Sequence, residues 1–237
     1  MKMGTAIVTG GAGTLGLAAG KALAADGWPV LLVDVAGAVT GAAQQIGARG
    51  IAADLTDAGA RADVLAAAGR IGALVNCAGI GRVVPFFETD EALWNLILNV
   101  NLNVPMWLSQ AAARMMADTG GGAIVNIASV SGQMASRGRV AYGTSKAGLI
   151  HLTKQMAVEL AEQGIRCNAV APGPVDGPMA RHHPPEQVNR YLETIPQGRY
   201  AQAEEIAEAV RFLVSPGASN ITGHCLNVDG GWQVAGV

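Results

Sequence analysis

A tyrosine and a lysine four residues apart are the pair of side chains best suited to acid–base chemistry. Tyr142 and Lys146 occur in the stretch YGTSK, near the start of a predicted helix, where this spacing places both side chains on one face. Tyrosine ordinarily has a pKa of about 10, which is too high for a base at neutral pH. A neighbouring ammonium favours the phenolate and lowers that pKa, so the pair could exchange a proton with an alcohol or carbonyl oxygen.

A serine earlier in the chain could hold the same reacting oxygen. Ser129 ends the apolar stretch AIVNIAS, and the end of a parallel strand lies at the carboxyl edge of the sheet. Ordinary structural roles remain open for all three residues at this stage. Ser129 could cap a turn or a helix, and a tyrosine and a lysine at helical spacing often form part of a solvated face.

Glycines near the start of the sequence are spaced as in a nucleotide-binding turn. The stretch IVTGGAGTLG fits GxGxxG at Gly11, Gly13 and Gly16, between a predicted strand and a predicted helix. The chain contains 32 glycines in 237 residues, so this match alone is weak evidence. Its position supports it, because glycines let backbone amides approach a pyrophosphate and the following helix presents its positive N-terminus to the phosphates.

An acidic residue follows this turn at the distance expected for a ribose-binding carboxylate. Asp34 ends the stretch VLLVD, about twenty residues after the turn. A carboxylate there accepts hydrogen bonds from the adenosine ribose hydroxyls and repels a 2′-phosphate, which predicts NAD(H) rather than NADP(H). The nearest later basic residue, Arg49, is too far along the chain to belong obviously to this turn. A solvated carboxylate at a strand end is the structural alternative.

Short apolar stretches alternate with alanine-rich helical stretches along the whole chain. Seven of them are typical of strands: TAIVT, PVLLVD, GIAAD, ALVNCAG, AIVNIAS, RCNAVAPG and HCLNVDGG. Long helices are predicted at about 90–117 and 140–163. Apolar strands joined by crossover helices indicate a parallel sheet buried on both faces. We therefore predict an α/β fold of the Rossmann type, a doubly wound, seven-stranded parallel sheet with helices on both faces, as a single domain over residues 1–237.

The proline-rich stretch from Pro172 to Gln197 interrupts this alternation and is predicted to be irregular. A substrate loop at about 174–198 is one interpretation, and an ordinary surface excursion is the other. The stretch contains the pair His182 and His183, which we interpret as solvated because no third ligand at metal spacing accompanies them. No metal site is predicted.

The composition limits the partners. A net charge of −2 with 14% charged residues gives no basic stripe for nucleic acid and no polybasic segment for a membrane surface, so a small-molecule substrate is expected. Three widely separated cysteines argue against a disulfide framework and for a reducing compartment. The chain opens directly into a strand-like stretch without a leader, which predicts a cytoplasmic protein.

These residues together resemble the short-chain dehydrogenase/reductase family, in its short single-domain branch, over essentially the whole length. The resemblance is carried, in chain order, by TGGAGTLG, Asp34, ADL at Asp54, NCAG at Asn76, NVNL at Asn101, Ser129, YGTSK, NAVAPGPV and ITGHCLNVDGGW. It implies a catalytic tetrad of Asn101, Ser129, Tyr142 and Lys146. In it Asn101 would hold a relay water, and Lys146 would also hold the nicotinamide ribose.

The resemblance also implies where a nicotinamide cofactor would bind. Asp54 would bond the adenine amino group, and Val175 would contact the nicotinamide through its backbone. The full set of expected cofactor contacts is Gly10, Gly13, Thr14, Leu15, Gly16, Asp34, Asp54, Leu55, Asn76, Ala78, Gly79, Tyr142, Lys146, Pro172, Gly173 and Val175. Expected substrate contacts are Ser131, Gln133, Met134, Pro174 and Met179.

Two positions depart from the family's pattern. The usual turn is TGxxxGxG, which would place a glycine at position 14, where this chain has Thr14 and a glycine one place earlier. Position 177 is often a threonine that reaches the cofactor's carboxamide, and here it is Gly177. The first departure adds a side chain, with a hydroxyl, beside the pyrophosphate, and the second removes an anchor for the nicotinamide end.

The expected function is that of an NAD(H)-dependent oxidoreductase interconverting a secondary alcohol and a ketone on a small molecule. A 3-oxoacyl-(carrier protein) reductase is the main alternative, kept open by Arg82, Arg137 and Arg139. A non-catalytic NAD-binding regulator is less favoured because the tetrad is intact. An enoyl reductase is also less favoured, because that branch usually spaces its tyrosine and lysine more widely.

A homodimer, or more often in such proteins a homotetramer, is also expected. The two long predicted helices carry more apolar residues than one sheet-facing stripe needs. These are Met106, Leu108, Leu149, Leu152 and Met156.

Overall fold

Parallel strands form the centre of the protein, for which a computed structural model describes residues 4–177 and 185–235. The strands are β1 (Thr5–Thr9), β2 (Val30–Asp34), β3 (Arg49–Ala52), β4 (Ile71–Asn76), β5 (Gly122–Ile127), β6 (Ile165–Pro172) and β7 (Cys225–Val228). They form one sheet in the order β3-β2-β1-β4-β5-β6-β7, and each neighbouring pair is parallel. The predicted seven-stranded parallel sheet is confirmed.

Helices cover both faces of this sheet. They are α1 (Thr14–Ala25), α2 (Val39–Gln45), α3 (Ala58–Ala68), α4 (Glu91–Leu98), α5 (Val104–Ala117), α6 (Val140–Leu160), α7 (Pro185–Thr194) and α8 (Ala203–Val214). Successive strand residues point to opposite faces. On β1, Ala6 and Val8 pack with α1, α2 and α8, whereas Ile7 packs with α3, α5 and α6. This two-sided burial explains why the strands are apolar throughout rather than alternating. Within the described residues, no helix is both long and apolar enough to span a membrane.

The strand order reverses beside β1, and this is the point where doubly wound sheets bind ligands. β1 lies between β2 and β4, so the turn after β1 and the turn after β4 meet at the carboxyl edge. The approach is close: a Cβ atom at Gly10 would lie 2.9 Å from the backbone nitrogen of Ala78. Gly10 also has a φ of +67°, a conformation that favours glycine. Position 10 therefore requires glycine, because the turn after β4 leaves no room there for a Cβ atom.

Two predicted elements differ from those observed. The helix predicted at 90–117 is interrupted by a π-helical turn, Asn99–Asn103, between α4 and α5. Pro105 follows that turn and has no N–H to donate to the carbonyl of Asn101, which disfavours a regular α-helix there. The prediction of irregular structure throughout 172–197 is wrong for α7, which begins with Pro185 at its first position, where proline is well tolerated. Met179, His182 and His183 lie outside the described residues.

The apolar residues named for oligomerisation are mostly internal. Leu108, Leu149 and Met156 are buried in the chain's own core. Leu96 on α4 and Trp107 on α5 are exposed instead, at 52% and 49% of their surface. These helices therefore do expose large apolar side chains, but they are not the ones named from the sequence.

The close packing of α1 on the glycine turn gives a prediction. A Cβ atom at Gly16 would collide with the carbonyl oxygen of Gly10, whereas one at Gly41, in the exposed part of α2, would meet nothing within 4 Å. We expect Gly16→Ala to destabilise the protein by about 2 kcal/mol or more. Gly41→Ala should be neutral or stabilise it by up to about 1 kcal/mol, because alanine favours a helix. Thermal unfolding of both variants tests this, and equal melting temperatures would contradict it.

Candidate active site

Lys146 lies in the centre of the site and is almost completely buried. Helix α6 carries it over the end of β5, where its Nζ donates a hydrogen bond to the carbonyl of Ile127 at 2.7 Å. The turn after β4 closes the other side, and a Cβ atom at Gly79 would lie 3.4 Å from this Nζ and 3.3 Å from Oδ1 of Asn101. A larger residue than glycine at position 79 would fill the space that the ammonium and the amide share.

Burial controls the protonation of this lysine. Desolvation lowers the pKa of Lys146 from its ordinary 10.5 to about 8, and the nearby Cys77 opposes the shift only in part. Burial also raises the pKa of the Cys77 thiol to about 12, so this cysteine is a neutral neighbour at physiological pH. The ammonium therefore lies in a dry pocket where an additional hydrogen-bond acceptor would stabilise its charge.

Tyr142 lies one helical turn before Lys146, between two cations. The Nζ of Lys146 is 5.8 Å from the centre of the phenol ring, and the guanidinium carbon of Arg139 is 5.5 Å from it. Burial raises the pKa of Tyr142 above its ordinary value, and a hydrogen bond with the Ser129 hydroxyl and the charge of Arg139 offset this rise only in part. The lowered pKa expected from the sequence is therefore wrong for the protein without a bound ligand. Ser129 and Tyr142 are thus brought together as the sequence predicted.

Arg139 is a site residue that sequence reasoning assigned elsewhere. The sequence relates Arg139 only to the carrier-protein alternative, whereas in the structure its guanidinium lies over the phenol ring. The signal was present in the sequence, because Arg139 precedes Tyr142 by three residues and such residues are neighbours on a helix surface. Its charge favours the phenolate and offsets part of the effect of burial.

Asn101 is fixed by the backbone of the turn after β4. It is fully buried, its Oδ1 accepts from the Ile80 N–H at 2.8 Å, and its Nδ2 donates to the Ile80 carbonyl at 2.9 Å. The same Nδ2 also donates to Ser145 Oγ at 3.0 Å. The amide therefore ties the π-helical turn to α6 and to the β4 turn. Both N–H groups of this amide are used, and its Oδ1 accepts one bond.

The glycine turn forms a cradle beside these residues. Helix α1 begins after Gly13 with no side chain capping its N-terminus and no acidic residue in its first turn. Asp34, at the end of β2, accepts from the Ala12 N–H through Oδ2 and from the Ala36 N–H through Oδ1, both at 3.0 Å. A carboxylate and an uncapped helix N-terminus on one crevice suit the ribose and the diphosphate of a dinucleotide.

Other residues expected to contact the cofactor lie in different surroundings. Asp54 is exposed, and its Oδ1 accepts from the N–H and the hydroxyl of Thr56, which lowers the pKa of this carboxyl. The Leu55 side chain is packed into the core. The Asn76 amide is buried and donates to Ser109 Oγ at 2.9 Å and to Asn126 Oδ1 at 2.8 Å. The side chains of Leu55 and Asn76 therefore support the fold beneath the crevice.

Among the described residues, those that hold the segment after β6 form no hydrogen bond with the backbone groups of Val175. The Ala201 N–H donates to the Pro174 carbonyl at 2.9 Å, and the Asp176 N–H donates to the Ala201 carbonyl at 2.8 Å. Val175 forms this parallel bridge without using its own N–H or carbonyl, which point to the opposite side. Gly173 is packed tightly, since a Cβ atom there would lie 2.8 Å from that of Asp229. The backbone of Val175 is thus available for a ligand.

A cavity of about 880 Å³ lies next to the start of α6. Residues 83–86 and 131–140 line it, together with Gly143, Thr144 and Ala147 of α6. Three of the residues expected to contact a substrate, Ser131, Gln133 and Met134, contribute to its wall, whereas Ser129 and Tyr142 do not line it. The cavity therefore does not enclose the Tyr142 hydroxyl.

Gln133 is occupied by a partner that the sequence did not indicate. Its Nε2 donates to Asn227 Oδ1 at 2.7 Å, and Asn227 Nδ2 donates back to Gln133 Oε1 at 3.2 Å. The same Nε2 also approaches Cys225 Sγ at 3.2 Å. This amide pair joins the segment after β5 to strand β7. A substrate that uses Gln133 would have to compete with Asn227.

Fold and site together define an oxidoreductase of the Rossmann type. Its chemistry is that of CH–OH groups, and the glycine cradle fits the nicotinamide cofactor that such enzymes use. Within the described ranges, no group of three or more His, Cys, Asp or Glu side chains is placed to hold a metal ion.

Comparison with known proteins assigns the family. A family model described as "Enoyl-(Acyl carrier protein) reductase" matches residues 10–233. The chain is 41% identical over 240 residues to galactitol 2-dehydrogenase (L-tagatose-forming) of Cereibacter sphaeroides, covering 97% of this chain and 94% of that protein. It is 38% identical over 235 residues to 3-oxoacyl-[acyl-carrier-protein] reductase of Escherichia coli (strain K12), covering 95% and 96%. A short-chain type dehydrogenase/reductase from Mycobacterium ulcerans matches with a TM-score of 0.94, 29% identity and coverage of 99% and 92%. The chain belongs to the short-chain dehydrogenase/reductase family.

The buried lysine makes stability depend on pH. Below pH 8 the folded protein bears the cost of a charged, desolvated Lys146, and the cost disappears as the pH rises toward 10.5, where the unfolded chain also loses this proton. The free energy of unfolding of Lys146→Met, relative to that of the parent, should therefore be highest at pH 7. It should fall by up to about 3 kcal/mol as the pH rises from 8 to 10.5.

Thermal unfolding without cofactor at pH 7 and pH 9.5 measures the change. Lys154→Met is the matched control, because Lys154 lies exposed on the same helix. The prediction is wrong if the difference in melting temperature between Lys146→Met and the parent is the same at pH 7 and at pH 9.5.

Proposed function

We propose that this protein is a single-domain NAD(H)-dependent oxidoreductase that interconverts a secondary alcohol and a ketone on a small molecule, with polyols as the substrate class. The observation that carries the proposal is the convergence of three groups at the carboxyl edge of the sheet. The Ser129 hydroxyl is a hydrogen-bond partner of the Tyr142 phenol, and the Lys146 ammonium lies beside the phenol ring. A proton-transfer group, an orienting hydroxyl and a cation next to a dinucleotide cradle suit this reaction.

In the proposed mechanism, the bound nicotinamide would accept or supply the hydride. Ser129 donates a hydrogen bond to the substrate oxygen and orients it beside the phenol. Tyr142 takes the alcohol proton in oxidation and returns it in reduction, and the cations at Lys146 and Arg139 favour its phenolate form. Lys146 would also hold the ribose hydroxyls, which would supply acceptors to its buried ammonium. A water on the Asn101 backbone would relay the proton from Lys146 to solvent.

The preference for NAD(H) is supported by charges around the adenosine end. Asp34 is held with its carboxylate at the carboxyl edge by Ala12 and Ala36, and the four residues that follow it, VAGA, contain no base. Arg49 pairs in register with Leu31, at the opposite end of the strands, and its Nη1 donates to the Ala67 carbonyl at 3.0 Å. A 2′-phosphate would therefore meet a carboxylate without a compensating cation.

The substrate class is supported by the relative that acts on galactitol and by the small charge of the chain. A 3-oxoacyl-(carrier protein) reductase is the second candidate, favoured by Arg137 and Arg139 in the wall of the cavity and by the relative with that activity. An acidic carrier protein would require a larger basic surface than Arg82, Arg137 and Arg139 form together. The enoyl reductase activity in the family model's description is less favoured, because Tyr142 and Lys146 are only four residues apart.

A homo-oligomer is part of the proposal. Leu96 and Trp107 expose about half of their surface on α4 and α5, the two helices joined by the π-helical turn. A second copy of the chain would cover them in a symmetric pair.

Replacing Tyr142 with phenylalanine tests the catalytic assignment. The ring of Tyr142→Phe still packs and Lys146 can still hold the ribose, so the melting temperature and NADH affinity should change little. The oriented proton-transfer group is lost, and kcat should fall by at least about 100-fold. The assay follows NADH absorbance with a panel of polyols and ketoses and one 3-oxoacyl thioester. A variant that keeps most of its activity would refute the assignment, and turnover of the thioester alone would favour the second candidate.

Replacing Asp34 with asparagine tests the cofactor preference. The amide keeps an acceptor for the Ala12 N–H but removes the charge, so the ratio of kcat/KM for NAD+ over NADP+ should fall by about 10-fold or more. Asp54→Asn is the matched control, because Asp54 lies at the expected adenine position and a loss there should affect both cofactors equally. Equal efficiency of the parent with the two cofactors would contradict the proposal.

A further inference from the structure

The cavity next to the start of α6 has positive charge in its wall and no negative charge. Arg137 and Arg139 line it, and no aspartate or glutamate does. The first turn of α6, which contributes to the wall, also contains no acidic residue. Within residues 4–177 and 185–235, neither guanidinium forms a hydrogen bond or an ion pair with a protein group. Although the net charge of the chain is −2, the two cations of this cavity therefore lack a counter-charge.

The backbone of Arg139 is held on both sides. The preceding residue, Gly138, has a φ of +71°, and its carbonyl accepts from the Val84 N–H at 2.9 Å, which joins the segment after β5 to the segment after β4. The Arg139 carbonyl accepts from the Gly143 N–H at 2.6 Å, and Arg139 is the N-cap of α6. The guanidinium carbon lies 5.5 Å from the centre of the Tyr142 ring. One fixed residue therefore places a cation both in the cavity wall and beside the proton-transfer group.

The side of the cavity formed by the segment after β4 is apolar. This segment contributes Val83, Val84, Pro85 and Phe86. Val83 and Phe86 expose 65% and 69% of their surface, so the protein itself leaves much of their apolar surface uncovered. Large apolar side chains exposed in a concavity favour an apolar ligand. An apolar side together with an unpaired guanidinium is complementary to an organic anion that has an apolar body.

We propose that this cavity admits a second substrate class besides polyols, namely hydroxy acids and oxo acids with an apolar body, whose carboxylate binds to the Arg139 guanidinium. The proposal rests on the proposed function, because the reacting carbon is oxidised or reduced beside the same Tyr142 phenol. A guanidinium holds a carboxylate through two parallel hydrogen bonds. In reduction, the carbonyl carbon gains the hydride that NADH loses and the carbonyl oxygen gains the Tyr142 proton. The carboxylate is unchanged, so Arg139 acts on specificity.

Two matched ketones test this specificity. 5-Oxohexanoate carries a carboxylate, and 5-oxohexanamide is a neutral molecule of nearly the same shape. With NADH absorbance as the assay, the parent should reduce the acid with a kcat/KM about 10-fold or more above that for the amide. Arg139→Gln also removes a cation beside the Tyr142 phenol and should slow both reactions, but the ratio of the two values should fall to about 3 or less.

Arg114→Gln is the matched control for this assay. It removes the same charge from an exposed position on α5 outside the cavity wall, so it should leave the acid-to-amide ratio unchanged. Three results would overturn the proposal: a ratio near one in the parent, an unchanged ratio in Arg139→Gln, or an equal fall of the ratio in Arg114→Gln.

Binding without turnover separates this proposal from the proposed function. Hexanoate and hexanamide have no ketone to reduce, and calorimetric titration should show that hexanoate binds to the parent about 10-fold more tightly, an advantage that Arg139→Gln should lose. Equal binding of the two by the parent would overturn the anion site. Reduction of ketoses without reduction of 5-oxohexanoate would also overturn the second substrate class and leave the proposed function intact. Tighter binding of hexanoate without turnover of any alcohol or ketone would refute the proposed function and support the anion site alone.

Discussion

The site depends on burying the ammonium of Lys146. Moving a charge out of water is costly unless hydrogen bonds replace the lost hydration. Here the Ile127 carbonyl supplies one such bond, and glycine at position 79 lets the turn after β4 enclose the group without displacing it. Within the described residues this is the one hydrogen bond that the ammonium makes. A ligand that brought hydroxyl acceptors to it, as in the proposed function, would couple its own binding to the stabilisation of this charge.

Glycines impose the second constraint, which is one of distance. A Cβ atom would meet the backbone of the turn after β4 at Gly10, the carbonyl of Gly10 at Gly16, and the Asn101 and Lys146 side chains at Gly79. Each of these contacts joins an element of β1, α1 or β4 to the same edge of the sheet. The shape of the crevice thus depends on glycine at these positions as well as on the side chains that line it. A dinucleotide can approach backbone N–H groups there because no side chain intervenes.

The strands and the convergence of Ser129 with Tyr142 could be predicted from sequence, since apolar runs between crossover helices fix which residues reach the carboxyl edge. Features that depend on distant contacts could not. Nothing local indicates that Gln133 bonds to Asn227, because these partners come together only when the sheet is assembled. The π-helical turn before Pro105 has a local signal, a proline inside a predicted helix, which indicates a break but not its form.

The buried amides beneath the crevice have a consequence for the placement of α6. Asn76 and Asn126 are paired in register on β4 and β5, and Asn126 Nδ2 donates to Thr153 Oγ1 at 2.9 Å. Thr153 lies two helical turns beyond Lys146, on the same face of α6. The helix is therefore pinned to β5 at two points, once by a hydroxyl and once by an ammonium. Two such points oppose both rotation of the helix about its axis and sliding along it. Because the helix is rigid, they also fix the Tyr142 phenol, one turn before Lys146, beside Ser129.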